Sequence, residues 1–279
     1  VHYNPKTLII NNLEFDHADI YSDIDAIIWQ FHQLIRRIPS NGRLIVNSED
    51  DSIAKLISLG LWSNIHTFGW TDKADWIAQP SLNERYKIKF LSNTKERIET
   101  KWKYFGNHNI ENAIAAVAGA NELGVSVKDA VKALSEFSGV KRRMELTQKL
   151  GDISIFDDFA HHPTAIRRSI NGFKKMYPDN RLIIALELRS NTMKMGIHSD
   201  RLFDSLKNAD IVFIYVPYDI VELNFSDQDK CNEKIKTFDN YEKMVKAMSA
   251  VIRSDDNIIF MSNGGFGGSR EQLIAILSD

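Results

Sequence analysis

Residues 153–164 read Ile-Ser-Ile-Phe-Asp-Asp-Phe-Ala-His-His-Pro-Thr, an apolar run followed at once by acids, imidazoles and a Pro-Thr step. The apolar run predicts a buried strand, and the polar residues fall where that strand would end. Ligands of open α/β sheets bind in the crevice outside the carboxyl ends of the strands. The stretch therefore predicts an α/β fold with a site here, although a simple polar turn with Thr164 or Asp158 capping the next helix explains it about equally well.

The second half of the chain alternates strands with helical segments. Strands are predicted at residues 153–156, 182–186, 211–215 and 258–261. Because helices separate them, these strands imply a parallel sheet with right-handed crossovers. Three of the strands lead into polar or glycine-rich loops, at residues 157–158, 187–191 and 262–268. The carboxyl ends of parallel strands share one sheet edge, so the three loops predict a site at that edge.

The first half also alternates strands and helices. Strands are predicted at residues 7–11 and 43–46, and helices at 24–35, 52–59, 108–123 and 126–137. Residues 67–104 instead predict short strands separated by polar turns, as at an antiparallel sheet edge. The cationic run at residues 141–143 marks the boundary between two predicted domains, 1–140 and 141–279.

A second polar segment, residues 106–113, opens a helix of small residues. Asn112 lies four residues after His108 and three after Asn109 at the start of this helix, so it shares a face with each of them. Asparagine offers a donor and an acceptor that suit the edge of adenine, and helix N-termini favour anionic ligands. The segment is compatible with nucleotide binding, but by composition alone an N-cap asparagine with solvated neighbours is the better interpretation.

Composition excludes several classes of function. The chain has 279 residues, enough for two ordinary domains, and its 43% hydrophobic and 26% charged content is typical of globular proteins. A formal net charge of −2 argues against nucleic acid and anionic membranes as partners. The single Cys231 fits a reducing compartment, and no apolar run approaches the ~20 residues of a membrane span. We therefore expect a cytoplasmic protein.

Together the two polar segments resemble the Mur ligase family, ATP-dependent enzymes that form amide bonds on UDP-muramyl precursors. Residues 11–19 resemble the family's loop after a central-domain strand, and residues 141–145 resemble its entry to the C-terminal domain. Residues 187–196 and 262–268 resemble one branch, which joins the tripeptide L-Ala-γ-D-Glu-meso-diaminopimelate to UDP-N-acetylmuramate in peptidoglycan recycling.

The resemblance implies the C-terminal part of a P-loop-type central ATPase domain, followed by a Rossmann-like C-terminal domain. It also implies ATP and Mg²⁺ as cofactors, with UDP-N-acetylmuramate and the murein tripeptide as substrates. The chain begins at Val1 and contains no G-x-x-x-x-G-K-[ST] string, the loop that cradles phosphate in such enzymes. We therefore expect a fragment without its N-terminal UDP-binding domain and P-loop, inactive when alone.

The resemblance assigns catalytic roles to His17, Arg143 and His161. His17 would bind magnesium, although without the resemblance a turn histidine beside Asp16 is the better interpretation, because magnesium prefers oxygen ligands. Arg143 would reach the nucleotide phosphates. The alternative is a solvated basic linker, an interpretation that also suits Lys141 and Arg142. His161 would touch phosphate or the incoming amine. Further nucleotide contacts are implied for His108, Asn109, Asn112 and Asp158.

Arg189 is the predicted anchor of the peptide substrate, because its guanidinium can hold a carboxylate at two points. The alternative is a surface ion pair between Arg189 and Glu187. Lys194 would add a point charge to the peptide site. The other residues implied in peptide binding are Ser190, Asn191, Thr192, Asn263, Gly264 and Phe266.

Three alternatives stay open at this stage. The chain could belong to a UDP-N-acetylmuramate–L-alanine ligase. It could also belong to a folylpolyglutamate-synthase-like ligase, although residues 189–196 and 262–268 argue against this alternative. If the native protein starts near Val1, it could instead be a non-catalytic nucleotide- or peptide-binding module. The sequence carries no information on the oligomeric state.

Overall fold

The computed structural model describes residues 2–81, 87–104, 106–189, 199–217 and 233–278. The chain divides into two compact units, Val1–Ser138 and Gly139–Asp279. Each unit is a parallel-dominated sheet with helices, so the predicted α/β fold class is confirmed.

The first unit contains six strands and four helices. The strands are β1 (Thr7–Ile10), β2 (Arg43–Asn47), β3 (Asn64–Gly69), β4 (Trp76–Pro80), β5 (Lys87–Leu91) and β6 (Arg97–Lys101). The helices are α1 (Ile24–Ile35), α2 (Asp51–Ser58), α3 (Asn107–Glu122) and α4 (Val127–Glu136). All four predicted helices are confirmed to within one residue at each end.

The strands of the first unit follow chain order from β1 to β6. The pairs from β1 to β4 are parallel, whereas β4 with β5 and β5 with β6 are antiparallel, which confirms the predicted antiparallel edge. The sequence pattern does not predict β3, because polar residues interrupt it. Parallel pairing with β2 and the full burial of Phe68 stabilise this strand.

Both faces of this sheet are covered by helices. Along β2, Leu44 and Val46 belong to the core cluster that includes α1 and α2, whereas Ile45 belongs to the cluster that includes α3 and α4. The small residues of α3 allow this helix to approach β1 closely. A Cβ added at Gly119 would lie 2.7 Å from Cδ1 of Ile9. One residue after β1, Asn11 contacts Asn112 in the first half of the same helix.

The second unit has its own sheet and core. Its strands are β7 (Glu145–Leu150), β8 (Ile153–Asp158), β9 (Leu182–Glu187), β10 (Ile211–Tyr215), β11 (Ile235–Phe238) and β12 (Asn257–Met261). Its helices are α5 (Pro163–Met176), α6 (Ser199–Leu206), α7 (Tyr241–Ser249) and α8 (Ser269–Ser278), with a 3₁₀ turn at Phe266–Gly268.

The strand order of the second sheet is β11-β10-β9-β12-β8-β7. All neighbours pair in parallel except β7, which runs antiparallel to β8. The last strand, β12, lies between β8 and β9, and Met261 pairs with both Asp158 and Leu186. The three strand ends therefore lie side by side, as the sequence predicts. The additional strands β7 and β11 are not predicted, because both contain several polar residues.

Gly42 leads into β2 where the backbone leaves no room for a side chain. A Cβ added there would lie 2.6 Å from the carbonyl oxygen of Lys6 and 2.7 Å from Cγ2 of Ile38. That carbonyl also accepts the N–H of Arg43 at 2.8 Å, so it cannot move without weakening the pairing of β1 and β2. We expect Gly42→Ala to lower the free energy of unfolding by about 1–3 kcal/mol, measured by urea denaturation.

The matched control is Gly265→Ala, since a Cβ at Gly265 would have no atom within 4 Å. Equal losses of stability in the two variants would contradict the crowding described at Gly42.

Candidate functional site

The end of β1 contacts the helix start that the sequence analysis singles out. The amide of Asn11 donates from Nδ2 to Oδ1 of Asn112 at 2.7 Å. Gly106 begins α3 with φ +87° and forms no side-chain cap, so the interpretation of an N-cap asparagine is wrong. His108 and Asn109 are half-buried, whereas Asn112 is exposed. The structure thus places Asn112, one of the predicted adenine-side residues, against the end of β1.

His17 lies in an exposed turn with φ +55°. Its N–H donates to Oδ1 of Asp16 at 2.7 Å, and its carbonyl accepts the N–H groups of Ile20 and Tyr21 at 2.8 and 2.9 Å. In the part of the chain that the structure describes, no three His, Cys, Asp or Glu side chains are grouped to hold a metal ion. These residues do not by themselves form a magnesium site, and the role of His17 remains a prediction.

Asp158 belongs to the end of β8 rather than to the turn that follows it. Its side chain is buried, Oδ1 accepts the N–H of Ala160 at 3.1 Å, and Oδ2 accepts the hydroxyl of Ser169 at 2.6 Å. Burial raises the pKa of this carboxyl above its ordinary value, against these hydrogen bonds, which lower it. The geometry of Asp158 favours a structural role over the predicted contact with the nucleotide.

The cap of α5 differs from both caps considered for this turn. His162 is the N-cap, its Nδ1 accepts the N–H of Thr164 at 3.4 Å, and Pro163 occupies the first turn. A cap by Thr164 or Asp158 is therefore wrong. Proline suits this position because it has no N–H to satisfy and its φ is already helical.

Arg142 is an internal strut of the second unit. Its Nη2 donates to the carbonyl oxygens of Ser262 and Gly264, both at 2.6 Å. Its Nε lies 3.4 Å from Oδ2 of the buried Asp157, which also accepts from Arg270 at 2.5 Å. The interpretation of Arg142 as a solvated linker residue is wrong, because its hydrogen bonds tie residues 139–145 to the loop after β12.

Phe159 separates Arg142 from the next arginine. The guanidinium carbons of Arg142 and Arg143 lie 5.2 and 5.1 Å from the centroid of the Phe159 ring. Such cation–π contacts favour a fixed direction for each arginine. Arg143 is exposed, so its charge faces solvent where a ligand can reach it. Sequence reasoning overlooked Phe159, whose position between two arginines depends on the fold of the linker.

The His161 ring is also held by Phe159. The two rings meet edge to face, with centroids 5.2 Å apart, and Nδ1 of His161 lies 2.8 Å from the Phe159 carbonyl oxygen. A carbonyl can only accept, so this bond favours the tautomer with hydrogen on Nδ1. The other ring nitrogen, Nε2, then carries the lone pair and can accept a proton.

Glu187 is a buried acid at the end of β9. One carboxylate oxygen accepts the hydroxyl of Tyr241 at 2.6 Å, and the other accepts the hydroxyl of Ser262. These contacts favour an internal role for Glu187 over the surface ion pair with Arg189. Desolvation raises the pKa of Tyr241, and the bond to Glu187 raises it further, so the phenol stays protonated and donates.

Arg189 is exposed and lies against Gly264. A Cβ added at Gly264 would stand 2.7 Å from Cδ and 2.8 Å from Cζ of Arg189. Beside it, Oδ1 of Asn263 is buried and has no hydrogen-bond partner among the described residues. The predicted contacts Ser190, Asn191, Thr192 and Lys194 lie outside the described residues.

Phe266 is placed differently from the prediction. It is buried in the core of the second unit and meets Phe260 edge to face at 5.3 Å, with φ +53°. This geometry favours a packing role over the predicted contact with peptide. Among the predicted site residues that the structure describes in this unit, Arg143 and Arg189 are exposed and His161 is half-buried, an arrangement suited to anionic ligands.

Two family models match successive parts of the chain. Residues 1–120 match the Mur ligase middle domain, and residues 142–264 match the glutamate ligase domain of Mur ligases. The chain belongs to the Mur ligase family. Among the described residues, no helix combines the length and apolar character that crossing a membrane requires.

Individual Mur ligases resemble the chain along nearly its whole length. The UDP-N-acetylmuramate–L-alanyl-γ-D-glutamyl-meso-2,6-diaminoheptandioate ligases of Haemophilus influenzae and Escherichia coli are each 37% identical to it, over 98% of this chain and 60% of their own length. The crystal structure of a murein peptide ligase from Psychrobacter arcticus matches with a TM-score of 0.73 and 38% identity, over 100% of this chain and 59% of that one. The chain therefore spans about 60% of the length of these relatives.

Because Arg142 is held by internal contacts, we expect its substitution to destabilise this Mur ligase chain more than substitution of the adjacent Lys141. Arg142→Ala removes two hydrogen bonds, an ion pair and the contact with the Phe159 ring, and it leaves two carbonyls and part of the Asp157 carboxylate without their donor. We expect a loss of about 2–3 kcal/mol in the free energy of unfolding, measured by urea denaturation.

Lys141→Ala serves as the control, because Lys141 is exposed one residue earlier, and it should change stability by less than about 0.5 kcal/mol. Similar losses of unfolding free energy in the two variants would show that Arg142 is a solvated linker residue after all.

Proposed function

We propose that an enzyme carrying this chain is an ATP-dependent ligase that joins L-Ala-γ-D-Glu-meso-diaminopimelate to UDP-N-acetylmuramate. The observation that carries this proposal is the 37% identity to two ligases named for that reaction, over 98% of the chain. A UDP-N-acetylmuramate–L-alanine ligase from Caldanaerobacter subterraneus is 31% identical over 88% of the chain. Ligation of L-alanine is therefore the second candidate.

The proposed organisation follows the two predicted domains. Residues 1–140 form the C-terminal portion of the central ATPase domain, and residues 141–279 form the C-terminal domain. ATP activates the muramyl carboxylate to an acyl phosphate, which the amine of the tripeptide then displaces. Both steps build negative charge, which favours fixed cations near the reacting groups. A cytoplasmic location belongs to the same proposal, because ATP is a substrate.

Arg143 is the proposed contact to the nucleotide phosphates. Its guanidinium is exposed, stacks on Phe159 and keeps its charge at neutral pH. On the nucleotide side we retain His108, Asn109 and Asn112 as adenine contacts, since Asn112 meets the end of β1 through Asn11. Magnesium is proposed from the chemistry of phosphoryl transfer. His17 is the proposed magnesium residue, as the resemblance to the family implies.

His161 is proposed to receive the proton that the amine of the tripeptide must lose. The bond between its Nδ1 and the Phe159 carbonyl leaves Nε2 as the accepting nitrogen. A positioned imidazole with a free lone pair is suited to general base catalysis near neutral pH. Arg189 is proposed to hold a carboxylate of the same peptide, beside the buried carbonyl group of Asn263.

Product formation with alternative amines tests the proposal. The complete enzyme is incubated with ATP, UDP-N-acetylmuramate and either tripeptide or L-alanine, and product is followed by mass spectrometry. We expect ATP-dependent ligation of tripeptide and little of L-alanine. Preference for L-alanine would favour the second candidate, and no ligation of either would contradict both. The 279-residue chain alone should show no turnover, since it contains no phosphate-cradling loop string.

In the complete enzyme, Arg143→Ala should slow the chemical step more than it weakens binding of the tripeptide. The charge of Arg143 would stabilise the transferring phosphoryl group, and the loss of such a contact typically costs about 3 kcal/mol in the barrier. Steady-state kinetics with Lys141→Ala as the control measure the effect. An unchanged kcat in Arg143→Ala would place Arg143 in the linker without a catalytic role.

Arg189→Lys should already impair the complete enzyme, because lysine keeps the charge but loses the planar two-point fork. The defect should appear in the KM for tripeptide, with the KM for ATP nearly unchanged. It should shrink for a peptide whose contacted carboxylate is amidated. Wild-type behaviour, or equal damage toward ATP and tripeptide, would show that Arg189 does not bind the peptide.

A further inference from the structure

We infer that Gly264, anchored by the buried pair of Glu187 and Ser262, is a positioning residue that sets the direction of Arg189 toward the peptide carboxylate. The inference rests on the proposed function, which gives Arg189 its substrate. It assigns a role to the backbone of the loop after β12 and to the buried acid Glu187.

Glu187 anchors the loop after β12 through a hydrogen bond with Ser262. This carboxylate is only 3% exposed and accepts the hydroxyl of Ser262, whose oxygen in turn accepts the N–H of Gly264 at 2.8 Å. A buried carboxylate with satisfied partners is costly to rearrange. The position of the Gly264 backbone is therefore set by an acid at the end of the neighbouring strand, β9.

Two further contacts hold the same loop from its sides. Arg142 donates to the carbonyl oxygens of Ser262 and Gly264 at 2.6 Å each. Farther along, the Tyr241 ring lies against Gly267, where an added Cβ would stand 2.5 Å from the ring. The Tyr241 hydroxyl donates to Glu187. The same carboxylate therefore holds Gly264, through Ser262, and contacts the tyrosine that packs against Gly267.

Arg189 lies across this fixed backbone. A Cβ on Gly264 would clash with Nη1 and stand 2.7 Å from Cδ and 2.8 Å from Cζ of Arg189. Arg189 can adopt its observed position only because residue 264 has no side chain. An arginine already directed before its ligand arrives loses less conformational freedom on binding, which favours affinity.

The chain provides a matched control one residue away. Gly265 follows Gly264 in the same loop, yet a Cβ there would meet no atom within 4 Å. The two alanine variants differ in their contact with Arg189, since neither Gly264 nor Gly265 has a positive φ. The three atoms nearest to a Cβ at Gly264 belong to the exposed side chain of Arg189 and not to the backbone, so we expect the Gly264→Ala variant to fold.

In the complete enzyme, Gly264→Ala should raise the KM for tripeptide by about ten- to a hundredfold, in the range that a misplacement of about 1 Å costs. The KM for ATP should stay near the wild-type value, and Gly265→Ala should match wild type for both substrates. In an Arg189→Ala background, Gly264→Ala should have no further effect on the tripeptide, because both changes remove the same interaction.

A spectroscopic measurement on the 279-residue chain tests the contact without activity. The Nε–H signal of Arg189, assigned by its loss in Arg189→Ala, should shift in Gly264→Ala and stay unchanged in Gly265→Ala. Ser262→Ala should shift it as well, because it removes the link between Glu187 and Gly264.

The outcomes separate the inference from the proposed function. If Arg189→Ala raises the KM for tripeptide but Gly264→Ala behaves like Gly265→Ala, the inference is overturned and the proposed function stands. If Arg189→Ala leaves that KM unchanged, the peptide role of Arg189 fails and the inference fails with it. An additive effect of the two changes would also overturn the inference.

Discussion

The arrangement of the second unit depends on three carboxylates that are buried at the ends of the two parallel strands flanking β12. Asp157 and Asp158 end β8, and Glu187 ends β9. Each must find hydrogen-bond donors, because an unpaired buried charge costs several kcal/mol. The donors come from the linker before β7, the loop after β12 and the helices α5, α7 and α8. Pairing these acids therefore determines where the loops around the edge of the sheet lie.

This constraint divides the arginines of the edge into two kinds. Arg142 and Arg270 turn inward to Asp157 and are parts of the framework. Arg143 and Arg189 remain exposed, the first stacked on Phe159 and the second lying across Gly264. An edge built in this way presents fixed positive charge without burying it. That property suits a ligase of the Mur family, whose proposed substrates are phosphates and peptide carboxylates.

Apolar runs were sufficient to predict the central strands and the convergence of their loops, since burial on both faces leaves a clear pattern in the sequence. The edge strands β7 and β11 were missed because polar residues interrupt them. The direction of each arginine could not be predicted either. Arg142 turns inward from a linker in which Arg142 and Met144 have φ +58° and +51°, and the sequence has no glycine at either position to indicate such a conformation. The burial of Asp158 depends equally on Ser169, eleven residues away on α5.

The most direct test of this account is a crystal structure of the complete enzyme with a non-hydrolysable ATP analogue and the tripeptide. The account predicts the Arg143 guanidinium within hydrogen-bond distance of a phosphate and the Arg189 fork on a peptide carboxylate. Arg142 and Glu187 should keep their present partners. A structure in which Arg142 leaves Asp157 to bind phosphate, or in which Arg189 lies away from the peptide, would contradict it.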